Sequence, residues 1–245
     1  AGIGGEFLEK TKYKNMEITN QANNVKQPPL EMIYTGDKHV IKLPKHKNTG
    51  VSGIDLVEAV ENRRSIREYS DCQVSIDELA FLLWCTQGVK KVIKNTATLR
   101  TVPSAGARHA FETFLLVNKA EGVKPGLYRY LAIEHKMAEI DTRPGISDDV
   151  VAACLGQDFA GTSAVTFFWA ADAGRMVWRY GERGYRYLYL DAGHVCQNLY
   201  LCAQAVGCGT CAIAAYDDDE INKLLGLDGD KMFVIYIAAV GKCGC

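Results

Sequence analysis

Apolar positions along this chain switch between helical and alternating periods, and the switches mark its elements. Leu56, Val57 and Val60 stand at helical spacing within residues 54–62. A second helix opens at Ser75-Ile-Asp-Glu78, a capping box in which the serine and glutamate satisfy free backbone donors, and runs through LAFLLWCTQG. FETFLLV (111–117) reads as a strand, and GLYRYLAIEHKMAEI as a hairpin turning near Glu134, His135 and Lys136. A helix near residues 148–155 precedes the apolar strand SAVTFFWAAD (163–172). A long helix (187–206), a strand (208–214), an acid-capped helix DDDEINKLLG and a final strand MFVIYIAAVG complete the pattern. Strands and helices joined partly by hairpins predict an α+β sandwich rather than strict βαβ winding.

Residues 1–50 are polar, poorly periodic and punctuated by Pro and Gly. They read as an extended arm that either docks on another surface or stays disordered, and Phe7, Tyr13, Met32, Ile33 and Tyr34 favour docking. The remainder, 51–245, is expected to form one domain, since 245 residues at 48% hydrophobic content can bury a sizeable core.

Charge narrows the function classes. Lys+Arg 28 against Asp+Glu 29 leaves a net charge of -1, which argues against nucleic-acid or membrane-surface partners. The longest apolar stretch, YLYLDAGHVCQNLYLCAQAVG, is interrupted by Asp191, His194, Gln197, Asn198 and Gln204, so it predicts a packed helix and not a membrane span. The opening residues carry no secretory-signal pattern. Nine scattered cysteines lack the density of a disulfide scaffold and predict a reducing, cytoplasmic setting.

Three stretches could carry chemistry. In ENRRSIREYS, Arg63, Arg64, Ser65 and Arg67 sit where a helix gives way to an extended segment, so guanidinium forks and a hydroxyl can converge on one anion. Alone, the quartet fits a solvated charged turn equally well. In RTVPSAGARH, residues Pro103 to Gly106 form a tight small-residue turn that lets backbone approach a flat ligand, framed by Arg100, Arg108 and His109. In GCGTCAIAAYDDDE, the glycine spacing imitates a dinucleotide fingerprint but runs from helix to strand, the reverse of the required order. Cys208 and Cys211, with Cys243 and Cys245, could be imagined as a thiolate metal site or redox pairs. Strand alternation, however, puts Cys208 and Cys211 on opposite faces, so no metal is expected. Asp217 to Glu220 are explained by the helix they precede.

Taken together, these segments resemble the FMN-dependent nitroreductase superfamily, and within it the SagB-type (thiazole/oxazole) dehydrogenase-like branch. GGEFLEKTKY resembles the start of that branch, RRSIREYS the FMN-phosphate motif, and PSAGARH the turn beneath the flavin. WRYGERGYRYLYLDAGHVCQNLYLCAQAVG, YDDDEINKLLGLDGDK and VIYIAAVGK extend the resemblance to the C-terminal end. It implies a nitroreductase-like three-layer sandwich, a mixed, mostly antiparallel sheet flanked by helices, and a homodimer with FMN at its interface. By that resemblance Arg63, Arg64, Ser65 and Arg67 hold the phosphate and ribityl chain, with Lys242 reaching the phosphate. Pro103, Ser104, Ala105, Gly106 and Ala107 contact the flavin from the partner chain, and Ile213, Ala214 and Ala215 pass its N5 edge. The implied activity is ping-pong hydride transfer from NAD(P)H through the flavin N5 to an electron-poor small-molecule acceptor. No catalytic side chain is required, because the cofactor carries the chemistry. Tyr180, Arg183, Tyr185 and Arg186 are expected to contact substrate.

The chain departs from the superfamily pattern at Ala107, where many members carry asparagine, and at Ala214 and Ala215, where the branch often has glycines. The alternative activity, oxidation of an azoline ring in a modified peptide, is associated with a Lys-Tyr pair where this chain has Arg179-Tyr180. An arginine does not deprotonate near neutral pH and makes a poor base. A third possibility, a flavin-binding or thiol-metal structural protein without turnover, rests on the cysteine pairs alone.

Overall fold

A computed structural model describes residues 2–36 and 38–244. In chain order its elements are α1 (Ile3–Lys10), β1 (Val40–Lys42), α2 (Leu56–Asn62), α3 (Ile76–Gln87), β2 (Val89–Ile93), β3 (Ala97–Arg100), β4 (Phe111–Val117), β5 (Gly126–Leu131), β6 (Lys136–Asp141), α4 (Ile146–Ala153), α5 (Phe159–Thr162), β7 (Val165–Asp172), α6 (Ala173–Tyr180), α7 (Gly184–Gln204), β8 (Cys208–Ile213), α8 (Asp218–Leu224) and β9 (Met232–Lys242).

The FETFLLV run is buried at every position because β4 lies inside a seven-stranded sheet of order β1-β6-β5-β4-β7-β9-β8. Alternation along the central strands feeds two cores. Phe111, Leu115, Val117, Phe167 and Trp169 pack on one face against Leu79, Leu82 and Leu83 of α3 and Leu188, Val195 and Leu199 of α7. Phe114, Leu116, Phe168 and Ala170 pack on the other against Ile146 and Val150 of α4, Ala160 of α5 and Ile221 of α8. The result is a three-layer α+β sandwich. Every ladder in the sheet is antiparallel, and the parallel component is confined to isolated bridges, Ser65 with Thr210 and Val74 with Ala120.

The helix starts follow from their caps. Ser75 Oγ accepts from Glu78 N at 3.1 Å while Glu78 Oε2 accepts from Ser75 N at 2.8 Å, the reciprocal box expected from the sequence. Asp55 caps α2, and Asp217 caps α8 by accepting from Glu220 N. No helix among the described residues is long and apolar enough to cross a membrane.

Elsewhere the structure adds to the sequence reading. The polar first fifty residues contain α1 and the short β1, which pairs with β6 at the sheet edge. Residues 89–100, unassigned from periodicity, form a separate hairpin of β2 and β3 whose strands alternate weakly. α2 forms as expected, but its apolar positions do not face the core: Leu56 is 67%, Val57 63% and Val60 55% exposed, and Ala59 is the buried one. Helical spacing identifies residues that share a face, not what covers it.

Candidate functional site

Arg63 ends α2 with extended backbone, and the chain then runs along the outer edge of β8. Ile66 N donates to Thr210 O at 3.0 Å, which fixes the segment there. Gly209 permits this approach, since a Cβ on it would lie 2.7 Å from Ile66 Cβ. Arg63 and Arg64 line a cavity of about 260 Å³ beside Tyr200, Gln204 and Gly207. The Arg63 guanidinium lies 5.4 Å from the centre of the Tyr200 ring, whereas that of Arg67 is 5.8 Å from the Phe159 ring, outside the cavity lining. Among the described residues none of the three guanidiniums has a carboxylate within 4.0 Å. Three cations gathered at a strand edge without acidic partners favour an anion.

Tyr200 joins two of the predicted segments. Its hydroxyl oxygen accepts from Ala212 N at 2.8 Å and lies 2.9 Å from Ser65 Oγ. It thereby ties RRSIRE to the end of β8, where Ile213 is buried and Ala214 and Ala215 emerge exposed. Gln157 Nε2 holds the Ala215 carbonyl at 2.7 Å. Lys242 is engaged elsewhere: its ammonium donates to Glu78 Oε1 at 2.5 Å and to Val206 O at 2.8 Å, and it does not line the arginine cavity.

The turn 103–107 lies near the other end of α7. Gly106 and Ala107 adopt φ of 54° and 53°, and His109 follows at 44°. A Cβ on Gly106 would meet Tyr180 Oη at 2.4 Å and Arg179 Nε at 2.9 Å, so a side chain there would have to displace that pair as well as bear the positive φ. Ser104 Oγ accepts from His109 N at 2.9 Å, Arg108 Nε donates to Gly106 O at 3.0 Å, and Asp191 Oδ1 accepts from Ala105 N at 3.3 Å. Burial, reinforced by the charges of Arg100 and Arg108, pushes His109 down to about 3, so its imidazole is neutral. Burial raises the Asp191 carboxyl above its ordinary range. Asp191 and Tyr200 stand nine positions apart on α7, or roughly 13 Å at 1.5 Å per residue. One chain therefore hangs the turn and the arginine cavity from separate parts of one helix.

The four expected substrate contacts divide. Tyr180 packs on Gly106 and lines a cavity of about 530 Å³ between α6 and residues 15–20. Arg183 also lines it, but its Nη1 donates to Thr11 O at 2.7 Å and its guanidinium lies 4.5 Å from the centre of the Tyr13 ring. Arg186 donates to Thr11 Oγ1 at 2.5 Å and to Leu8 O at 2.6 Å. Tyr185 is half-buried against the main core. The two arginines thus hold the N-terminal segment.

Cys208 and Cys211 are buried free thiols and Cys243 is exposed, while Cys245 lies outside the described residues. Among the described residues no group of three or more His, Cys, Asp or Glu is placed to hold a metal. Sequence reasoning missed Asp191 and Tyr200 as site residues. Asp191 had left a signal, a carboxylate interrupting an apolar helix.

Comparison with known proteins places these features. The profile of the nitroreductase family matches residues 60–242. A nitroreductase-like protein of Methanocaldococcus jannaschii is 32% identical over 207 residues, covering 84% of this chain and 98% of the relative. The trifolitoxin operon protein TfxC of Rhizobium leguminosarum bv. trifolii is 25% identical over 76% of this chain, which spans only 55% of that relative. A solved structure of a nitroreductase-like protein from Anabaena variabilis superposes with a TM-score of 0.68 at 29% identity, covering 84% of this chain and 42% of the other. Likeness to the trifolitoxin protein fits the SagB-like branch. On the family match and the relative that it spans almost end to end, the chain belongs to the nitroreductase family, a family of oxidoreductases.

Proposed function

We propose that the chain is an FMN-dependent NAD(P)H oxidoreductase that reduces an electron-poor small organic acceptor. The observation that carries this reading is the set of guanidiniums, Arg63, Arg64 and Arg67, without carboxylate partners among the described residues, two of them lining a cavity. That donor set fits a phosphate-bearing cofactor. Bound FMN would supply the redox chemistry, a two-electron relay between NAD(P)H and the acceptor in ping-pong order.

The protein's own residues bind and orient. Arg63 and Arg64 offer charge-assisted donors to the phosphate, and Tyr200 holds Ser65 beside them. Arg67 stands outside that cavity and serves the ribityl chain. Lys242, held by Glu78, steadies the wall behind the cavity instead of reaching the anion. The Ser104–Ala107 turn presents small side chains and backbone to the ring, and neutral His109 adds no charge beside it. Ile213, Ala214 and Ala215 pass the opposite edge, where the two alanines are exposed. Tyr180 and Arg183 bound the space in which the acceptor binds.

A homodimer completes the site on this reading. The exposed apolar residues Leu56, Val57 and Val60 of α2 and Tyr189 and Leu190 of α7 are surfaces a second copy would cover. The separation of turn and arginine cavity along α7 is the arrangement expected if each flavin takes one from each chain. A second reading, azoline oxidation in a modified peptide, draws support from the likeness to the trifolitoxin protein. It is disfavoured by Arg179 beside the turn.

The test is the visible spectrum of purified protein, identification of the heat-released chromophore by mass, and anaerobic addition of NADH. Stoichiometric FMN that bleaches is the expected result. Protein that remains colourless after incubation with excess FMN overturns the assignment.

A further inference from the structure

The turn at 103–107 holds an unfavourable conformation. Gly106, Ala107 and His109 all carry positive φ, and two of the three have a Cβ. Such backbone persists only where the surroundings over-determine it. Two restraints are local: Ser104 Oγ takes the His109 amide, and Arg108 Nε donates to the Gly106 carbonyl. Arg108 also donates to Thr96 O on the β2–β3 hairpin, at 3.2 Å. The tie to α7 is Asp191, whose Oδ1 accepts from Ala105 N at 3.3 Å.

Asp191 is an expensive residue at its position. It stands on the buried face of α7, three residues after Leu188 and four before Val195, and is 5% exposed. Its Oδ2 is buried without a hydrogen-bond partner, and no cation lies within ion-pair distance among the described residues. A buried carboxylate left half-satisfied lowers stability relative to an apolar residue of similar size, so packing does not account for it.

We infer that Asp191 is the positioning residue of the flavin-facing turn, fixing Ser104 to Ala107 relative to α7. Because α7 also carries Tyr200, the same helix then sets both the turn and the Ser65 segment. The inference rests on the flavin reading for its functional consequence, but the anchoring itself is a property of the chain without cofactor.

The experiment compares the full chain with its Asp191→Asn, Asp191→Ala and Asp191→Leu variants. Two quantities are read: FMN affinity by fluorescence titration of the apoprotein, and hydrogen exchange of the 104–109 amides without FMN. Asp191→Asn keeps an oxygen for Ala105 N and should bind within about threefold of the original chain. Asp191→Ala should lose about tenfold, a difference of about 1.4 kcal/mol. Exchange at 104–109 should quicken in Asp191→Ala while exchange at residues 65–67 stays unchanged. Asp191→Leu, an apolar residue suited to the buried face of α7, removes the same acceptor and should move both readouts the same way, which keeps the test decisive if Asp191→Ala does not fold.

Faster exchange with FMN affinity unchanged in Asp191→Ala and Asp191→Leu overturns the functional inference and leaves the flavin reading standing. Unchanged exchange overturns the anchoring itself. An original chain that binds no FMN overturns the flavin reading, and the exchange data still decide whether Asp191 holds the turn.

Discussion

Removing the charge of Glu112 should loosen both the sheet and the N-terminal arm. Glu112 sits near the start of β4 with its side chain 2% exposed, between the guanidiniums of Arg129 and Arg175, which are 4% and 3% exposed. Its Oε1 accepts from Arg175 Nη2 and from Met32 N, each at 2.6 Å, and its Oε2 lies 3.3 Å from Arg129 Nη2. Arg129 also donates to the Met32 carbonyl, so a single carboxylate organises two buried cations and a clamp on the arm. Taking one partner from a buried ion pair costs about 3 to 5 kcal/mol, because the remaining charge stays desolvated. Arg175 keeps Asp172 at 3.2 Å, and a glutamine keeps one carbonyl acceptor, so Glu112→Gln belongs at the lower end, about 3 kcal/mol. For a chain of this size that is roughly 6 to 12 °C in melting temperature. Calorimetry gives the first number, and limited proteolysis asks whether residues 12–36 become cleavable before the core. A variant melting within about 2 °C of the original chain refutes the charge argument. A large loss with the arm still protected would mean that the network braces the sheet and the arm is held by other contacts.

Four further outcomes follow from single contacts. Ser75→Ala removes the cap of α3 and should cost about 1 kcal/mol in urea denaturation. Gly209→Ala places a Cβ 2.7 Å from Ile66 Cβ; overpacking of this kind costs about 1 to 3 kcal/mol, and here it should also weaken FMN binding by displacing RRSIRE. Tyr200→Phe deletes the hydroxyl between Ser65 and Ala212 N, and FMN affinity should fall roughly five- to tenfold, the worth of about one hydrogen bond. His109 makes stability depend on pH: its imidazole is pushed from an ordinary value near 6.5 down to about 3. Between those values the unfolded chain binds a proton that the folded chain refuses. Stability therefore falls as pH drops below 6.5, by up to about 1.4 kcal/mol per unit, and is untouched above it. His109→Asn should flatten the acid limb by about 2 kcal/mol at pH 5, and parallel curves for the two proteins would refute the burial argument.

What the sequence revealed, and what it hid, divides along physical lines. FETFLLV and SAVTFFWAAD were legible because a strand buried on both faces must be apolar throughout, and the start of α3 was legible because its cap is made by residues three apart. The arm was not, because its structure is supplied by remote residues: β1 takes its partner from Ala138 and Met137, and Thr11 is held by Arg183 and Arg186. The arginines of the YGERGYR run were legible as important but not as to what they bind, since an arginine fork serves a backbone carbonyl as readily as a ligand.

Asp191 marks the point where a stricter reading would have reached further. Asp191, His194 and Gln197 look alike as polar interruptions of one apolar helix. The helical period separates them: Leu188, Ala192, Val195 and Leu199 face the core, Asp191 lies on that face, and His194 and Gln197 point away from it. A surface polar residue needs no explanation, whereas a carboxylate phased with the core must hold something. What it holds, the Ala105 amide 86 residues earlier, is beyond the reach of periodicity. Phase along α7 could therefore have nominated Asp191 as a site residue, and only the fold could supply its partner.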